Sequence, residues 1–153
     1  MKLDKEGFLV HNSGMKLSTQ VDYAVRTVYE LSLREPGAVI QTRDIADAQR
    51  LPEGYLAKVI QSLARAGVLR TVRGIHGGVA LTRTPAQISV REVFEAVDGP
   101  LELHRCRHQP DPCGDVPCGT HKFWEQVERV LTSELENTDF EALTKSGANP
   151  VAS

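Results

Sequence analysis

The 153-residue sequence has no apolar run near the roughly 20 residues of a membrane span. Its first residues, MKLDKEGFLVHNSG, lack the continuous apolar centre and cleavage site of a signal peptide, so a cytoplasmic protein is expected. Cysteine is scarce: there are three, an odd number that cannot all pair within the chain. A chain of this length buries a working core without staples. A reducing cytosol also disfavours structural disulfides and leaves clustered thiols as metal ligands or redox centres. The close CxxC knuckles of zinc fingers are missing, as is any nucleotide-binding glycine motif, so a redox enzyme is disfavoured and no catalytic residues are assigned.

The net charge of -2 is equally uninformative until it is divided along the chain. Residues 41–83 carry seven basic side chains (Arg43, Arg50, Lys58, Arg65, Arg70, Arg73 and Arg83) against three acidic ones (Asp44, Asp47 and Glu53), a local balance of +4 that leaves -6 elsewhere. A basic binding face on an acidic protein has this asymmetry, although a mixed solvated surface has it too.

Residues 1–14 show no periodicity, and MKL recurs at Met15, so residues 1–14 are read as a disordered leader. Val21, Ala24, Val25, Val28 and Leu31 then follow helical spacing behind Ser18 or Thr19, predicting a helix over about 19–34 that Glu35-Pro36-Gly37 ends. Ala38-Val39-Ile40 reads as a short extended piece, and Thr42 as the cap of a short helix carrying Ile45, Ala46 and Gln49. Leu51-Pro52 breaks the chain before a second helix from about Glu53, whose Leu56, Val59, Ile60 and Leu63 form one apolar face and which Gly67 ends. VLRTVR and VALTR, separated by GIHGG, read as a hairpin. The order helix, helix, turn, helix, hairpin is that of a winged helix-turn-helix, giving a mainly α fold with a small β-hairpin wing.

Ser89 and Glu92 are placed as a capping box, with Ile88 and Val93 as its hydrophobic staple, for a helix through about Val97. Beyond the loop, Phe123, Val127, Val130, Leu131 and Leu135 make a stripe of four to five turns on a long helix opened by Thr120. Pairing with a second subunit and packing back on its own domain account for this stripe equally well. The tail from 141 to 153 is polar at its end and expected to be mobile.

In a helix-turn-helix the second helix reads base edges from its N-terminal half. Glu53, Tyr55 and Lys58 are therefore placed at DNA: Glu53 can accept from cytosine N4, and Lys58 can donate to guanine or phosphate. Thr42, opening the first helix of the pair, joins this set. Arg73-Gly74 at the hairpin tip suggests a wing entering the minor groove, with His76 beside it at phosphate. The plainer readings are that Glu53 serves the helix dipole, Tyr55 belongs to the core and the hairpin is only a soluble edge.

The segment RCRHQPDPCGDVPCGTHKFW holds all three cysteines. Cys106, Cys113 and Cys118 are separated by six and then four residues, in a loop with prolines and a glycine that can curl around a centre. This spacing suits an iron-sulphur cluster better than zinc, and either better than free thiols. His121, three residues after Cys118, is one candidate fourth ligand. Asp22 is another, supplied near the start of the first helix by the same or a second subunit. In plainer roles both are ordinary first-turn residues, and His104 and His108 are loop residues facing solvent.

MKLSTQVDYAVR, GYLAKVIQSLARAGVLRTVRGIHGG, ISVREVFEAVDG and the three cysteines, the last opening CGTHKFW, together resemble the iron-sulphur winged-helix transcription regulators, the family that includes IscR and NsrR. The resemblance runs from Met15 to about Lys145. It implies a homodimer on a palindromic operator, a long C-terminal dimerisation helix and a cluster whose state alters DNA affinity. The IscR type implies Cys106, Cys113, Cys118 and His121 around a 2Fe-2S cluster, favoured here because CGTHKFW matches it. The NsrR type implies Asp22 and a 4Fe-4S cluster. The six-and-four cysteine spacing departs from the family's usual five-and-five. With the resemblance included, the chain divides into a leader (1–14), a DNA-binding domain (15–99), a cluster-binding loop (100–119), a dimerisation helix (120–140) and a tail (141–153).

Overall fold

A computed structural model of the chain describes residues 18–103 and 119–147. The first helix, α1 (Thr19–Ser32), starts where the Ser18 hydroxyl accepts the Val21 N–H at 3.2 Å, satisfying one of the donors a helix start leaves open. Its stripe of Val21, Ala24, Val28 and Leu31 is buried, and α1 packs against every other helix of the DNA-binding body.

The short helix α2 (Thr42–Gln49) and α3 (Glu53–Arg65) follow. Gln41, with extended backbone, is the N-cap of α2 and makes no side-chain capping bond, so Thr42 is the first helical residue rather than the predicted cap. α2 ends in a left-handed residue, Arg50, with Leu51 N–H bonded back to the Ala46 carbonyl at 2.8 Å and Leu51 buried beside it. That is the Schellman ending, which satisfies terminal carbonyls and turns the chain sharply. α3 buries Leu56, Val59, Ile60 and Leu63, the face its spacing predicts.

Strands β1 (Leu69–Val72) and β2 (Gly78–Leu81) pair antiparallel, Leu69 opposite Leu81 and Val72 opposite Gly78. The extended piece before α2 adds a single bridge: Ile40 and Val79 exchange both backbone bonds, at 2.9 and 2.8 Å. Any side chain at Gly78 would meet the Ile40 backbone, so glycine permits this close approach.

A 3-10 turn (Pro85–Gln87) leads to α4 (Val90–Asp98), capped by Ser89, whose hydroxyl accepts the Glu92 N–H at 3.2 Å. The Glu92 carboxylate is taken by Arg83, which follows β2, so only the Ser89 half of the expected capping box forms and Glu92 instead ties the wing to α4. Both staple residues, Ile88 and Val93, are fully buried.

Two further helices are described beyond residue 118: α5 (His121–Asn137) and α6 (Phe140–Gly147). α6 lies where the sequence reading placed a tail from 141. Asp139 accepts the Ala142 N–H at 2.7 Å, Phe140 N–H donates to the Ile88 carbonyl at 3.2 Å, and the Phe140 ring is fully buried. One aromatic anchor and one capping carboxylate thus fix a helix of only eight residues. Among the described residues, no helix is long and apolar enough to cross a membrane.

Candidate nucleic-acid interface and ligand-bearing helix

Burying one face of α3 leaves the other outward: Glu53, Gly54, Tyr55, Ala57, Lys58, Gln61 and Arg65 are all exposed. Tyr55 is 64% exposed and so is not a core residue. Its ring meets Tyr23 of α1 edge-on at a centroid separation of 6.4 Å, which restrains it at the surface. Thr42 is half-buried at the start of α2.

At the wing tip, Arg73, Gly74 and His76 are exposed, and Gly74 takes φ 115°, a conformation natural to glycine. The Gly77 N–H closes the turn onto the Gly74 carbonyl at 2.9 Å. Among the described residues, Lys58, Arg65 and Arg73 have no acidic partner. The seven predicted DNA-binding residues are thus set on α2, α3 and the wing, and six of them are exposed. Gln61 and Arg65 continue the outward row of Lys58 along α3 and were missed, although the helical spacing that located the apolar face was a signal that could have found them.

On the other side of α4 the arrangement differs. α5 packs against α4, and between them is a cleft of about 670 Å³ lined by residues including Arg91, Glu95, Glu128, Glu136 and His121. Arg91 bridges the two helices, reaching Glu95 at 2.8 Å and Glu136 at 3.0 Å. The hydrogen bond that Arg91 donates to Glu95, then the Glu95 charge, and more weakly Glu136 raise the Arg91 pKa, so the guanidinium stays charged. Glu128 is the buried residue of α5 and accepts the Leu103 N–H at 3.2 Å, joining the helix to the strand of chain that leaves α4.

His121 is the first residue of α5, half-buried and facing this cleft. Cys106, Cys113 and Cys118, with His104 and His108, lie outside the described residues. Among the described residues no group of three or more His, Cys, Asp or Glu converges in a way that could hold a metal. Three thiols and an imidazole are nevertheless a donor set suited to iron, and the half-buried imidazole, three residues beyond Cys118, fits that use. Asp22, half exposed, is paired with Arg26 one turn along α1 at 3.1 Å.

Residues 17–146 match the Rrf2 family profile, described as an iron-dependent transcriptional regulator. The chain is 30% identical to the helix-turn-helix transcriptional regulator IscR of Xenorhabdus nematophila over 86% of this chain and 80% of that protein. Its structure is similar to that of T. potens IscR, with a TM-score of 0.70 at 26% identity over 93% of this chain and 96% of that one. It also resembles CymR, the global cysteine regulator of B. subtilis, with a TM-score of 0.72 over 87% of this chain and 98% of that one; at 23% identity this likeness speaks for the fold alone. The relatives are transcriptional regulators rather than enzymes, and the similarity to their structures bears out the winged-helix architecture.

Proposed function

The chain belongs to the Rrf2 family of iron-dependent transcriptional regulators, and from that premise we propose that it is a cytoplasmic, homodimeric repressor whose grip on a palindromic operator depends on an iron-sulphur cluster. The observation that carries this reading is the position of His121: it opens α5, three residues after Cys118, beside a cleft whose far wall is α4 of the DNA-binding body. Cys106, Cys113, Cys118 and His121 would hold the cluster, with 2Fe-2S favoured over 4Fe-4S and Asp22 the alternative fourth ligand. When bound, such a cluster supplies a centre that responds to redox poise, to iron-sulphur supply or to nitric oxide.

The protein's own residues do the rest. Thr42, Glu53, Tyr55 and Lys58 face the major groove, while Arg73, Gly74 and His76 of the wing lie at the minor groove and the backbone. Support for a homodimer comes from α5, where Phe123 is 59%, Val130 56% and Leu131 39% exposed along one stripe. A second copy of the chain would cover it and set two copies of α3 about 34 Å apart, one helical turn of DNA. The cysteine segment joins α4 to α5, so a cluster held there would alter how the DNA-reading body sits on the dimer helix. Occupancy changes affinity only in so far as it favours one of these arrangements over the other.

Anaerobic purification with iron, acid-labile sulphide and zinc analysis tests the proposal. Iron and sulphide with a visible absorption band are expected, and stoichiometric zinc in colourless protein would instead make the loop a structural metal site. Alanine at His121 should strip or alter the band and alanine at Asp22 should leave it; the reverse pattern would assign the fourth ligand to Asp22.

A further inference from the structure

Among the described residues, Arg50 is the one non-glycine residue at positive φ, with φ 53° and ψ 45° in the turn between α2 and α3. A residue with a Cβ adopts this left-handed conformation at a cost that glycine avoids, and helix-turn-helix turns often carry glycine for that reason. The surrounding chain imposes the conformation from both sides. Ahead of it, Gln49 Nε2 donates at 2.8 Å to Glu30, a carboxylate only 6% exposed that also holds Arg34. Behind it, Leu51 is buried with its N–H on the Ala46 carbonyl at 2.8 Å, and Pro52 fixes the entry into α3.

The Arg50 side chain takes no part in any of this. It is exposed and makes no hydrogen bond or ion pair among the described residues, in the turn that leads directly into α3. The turn accounts for this backbone conformation, but among the described residues nothing engages the guanidinium that it holds three residues before Glu53.

We propose that Arg50 contacts a phosphodiester group of DNA and so sets the register of α3 in the major groove. Its planar, permanently charged fork suits phosphate oxygens, and contacts of this class position a reading helix without specifying sequence. The proposal rests on the DNA-binding reading above.

The test uses full-length protein prepared anaerobically and two fluorescent duplexes: one recovered by the wild type from a random-sequence pool, and one of unrelated sequence. R50G is expected to melt at the wild-type temperature or a few degrees higher. It should bind both duplexes about eightfold more weakly at 0.1 M salt for each half-site contacted, with the log-log salt slope smaller by about 1 per contact. R50K should keep the slope, and R50Q reads the same loss if R50G fails to fold. Wild-type affinity and slope in both R50G and R50Q would overturn the proposal, as would a loss confined to the selected duplex at unchanged slope, which marks base contact. A wild type that binds neither duplex would overturn the DNA-binding reading, and this proposal with it.

Discussion

The two sides of α4 face two differently built regions. Towards the wing, α1 to α4 close a continuous core in which Ile45, Leu56, Leu63, Leu69, Ile88 and Val93 are essentially inaccessible, and α6 seals it with Phe140. Across the cleft, α5 is seventeen residues long, yet the residue it buries is Glu128, while Phe123, Val130 and Leu131 are exposed. The body satisfies its hydrophobic demand within one chain; α5 does not. A helix that leaves these apolar side chains exposed has a surface for a second molecule to cover under the proposed function, and His121, the proposed ligand, stands at its start.

The largest effect should come from breaking the self-sufficient half. Truncating Phe140 to Ala removes a fully buried ring and should cost about 3–5 kcal/mol in chemical denaturation, whereas V130A on α5 should cost well under 1 kcal/mol of the same transition. Comparable losses would mean that α5 is part of the monomer's core. Next, placing charge on the exposed stripe with V130D and L131D should convert the protein to a monomer in sedimentation while leaving its far-ultraviolet dichroism intact. A dimer that survives both changes would put the subunit contact elsewhere. The smallest effect belongs to the wing: R73A should weaken binding to a selected duplex by about eightfold at 0.1 M salt for each half-site, without altering the visible spectrum. Unchanged binding would remove Arg73 from the interface.

Much of the body was legible because each local signal agreed with the next. The spacing of Leu56, Val59, Ile60 and Leu63 located the buried face of α3, and Ser89 with Ile88 and Val93 located the start of α4. What escaped the sequence depends on partners distant in the chain. Tyr55 could be assigned to core or surface until Tyr23 placed it outside, and α6 is held by Ile88, more than fifty residues earlier. Arg50 carries no composition signal for a left-handed turn; that follows from Leu51 and Gln49 being tied down around it. The apolar stripe of α5 was visible, but periodicity does not say whether a stripe meets its own domain or another molecule. Of the four favoured metal ligands, His121 alone falls among the described residues, so its placement beside the α4–α5 cleft is what the structure adds to the sequence pattern.

The central claim is that occupancy of the Cys106, Cys113, Cys118 and His121 site is coupled to DNA binding. Its most direct measurement is the affinity of one protein preparation for one selected duplex, anaerobically, before and after removal of iron and sulphide, at fixed salt. A coupling of 1–3 kcal/mol predicts affinities that differ by about 5- to 150-fold, a difference that H121A abolishes. Equal affinities of the loaded and stripped wild-type protein would contradict the account.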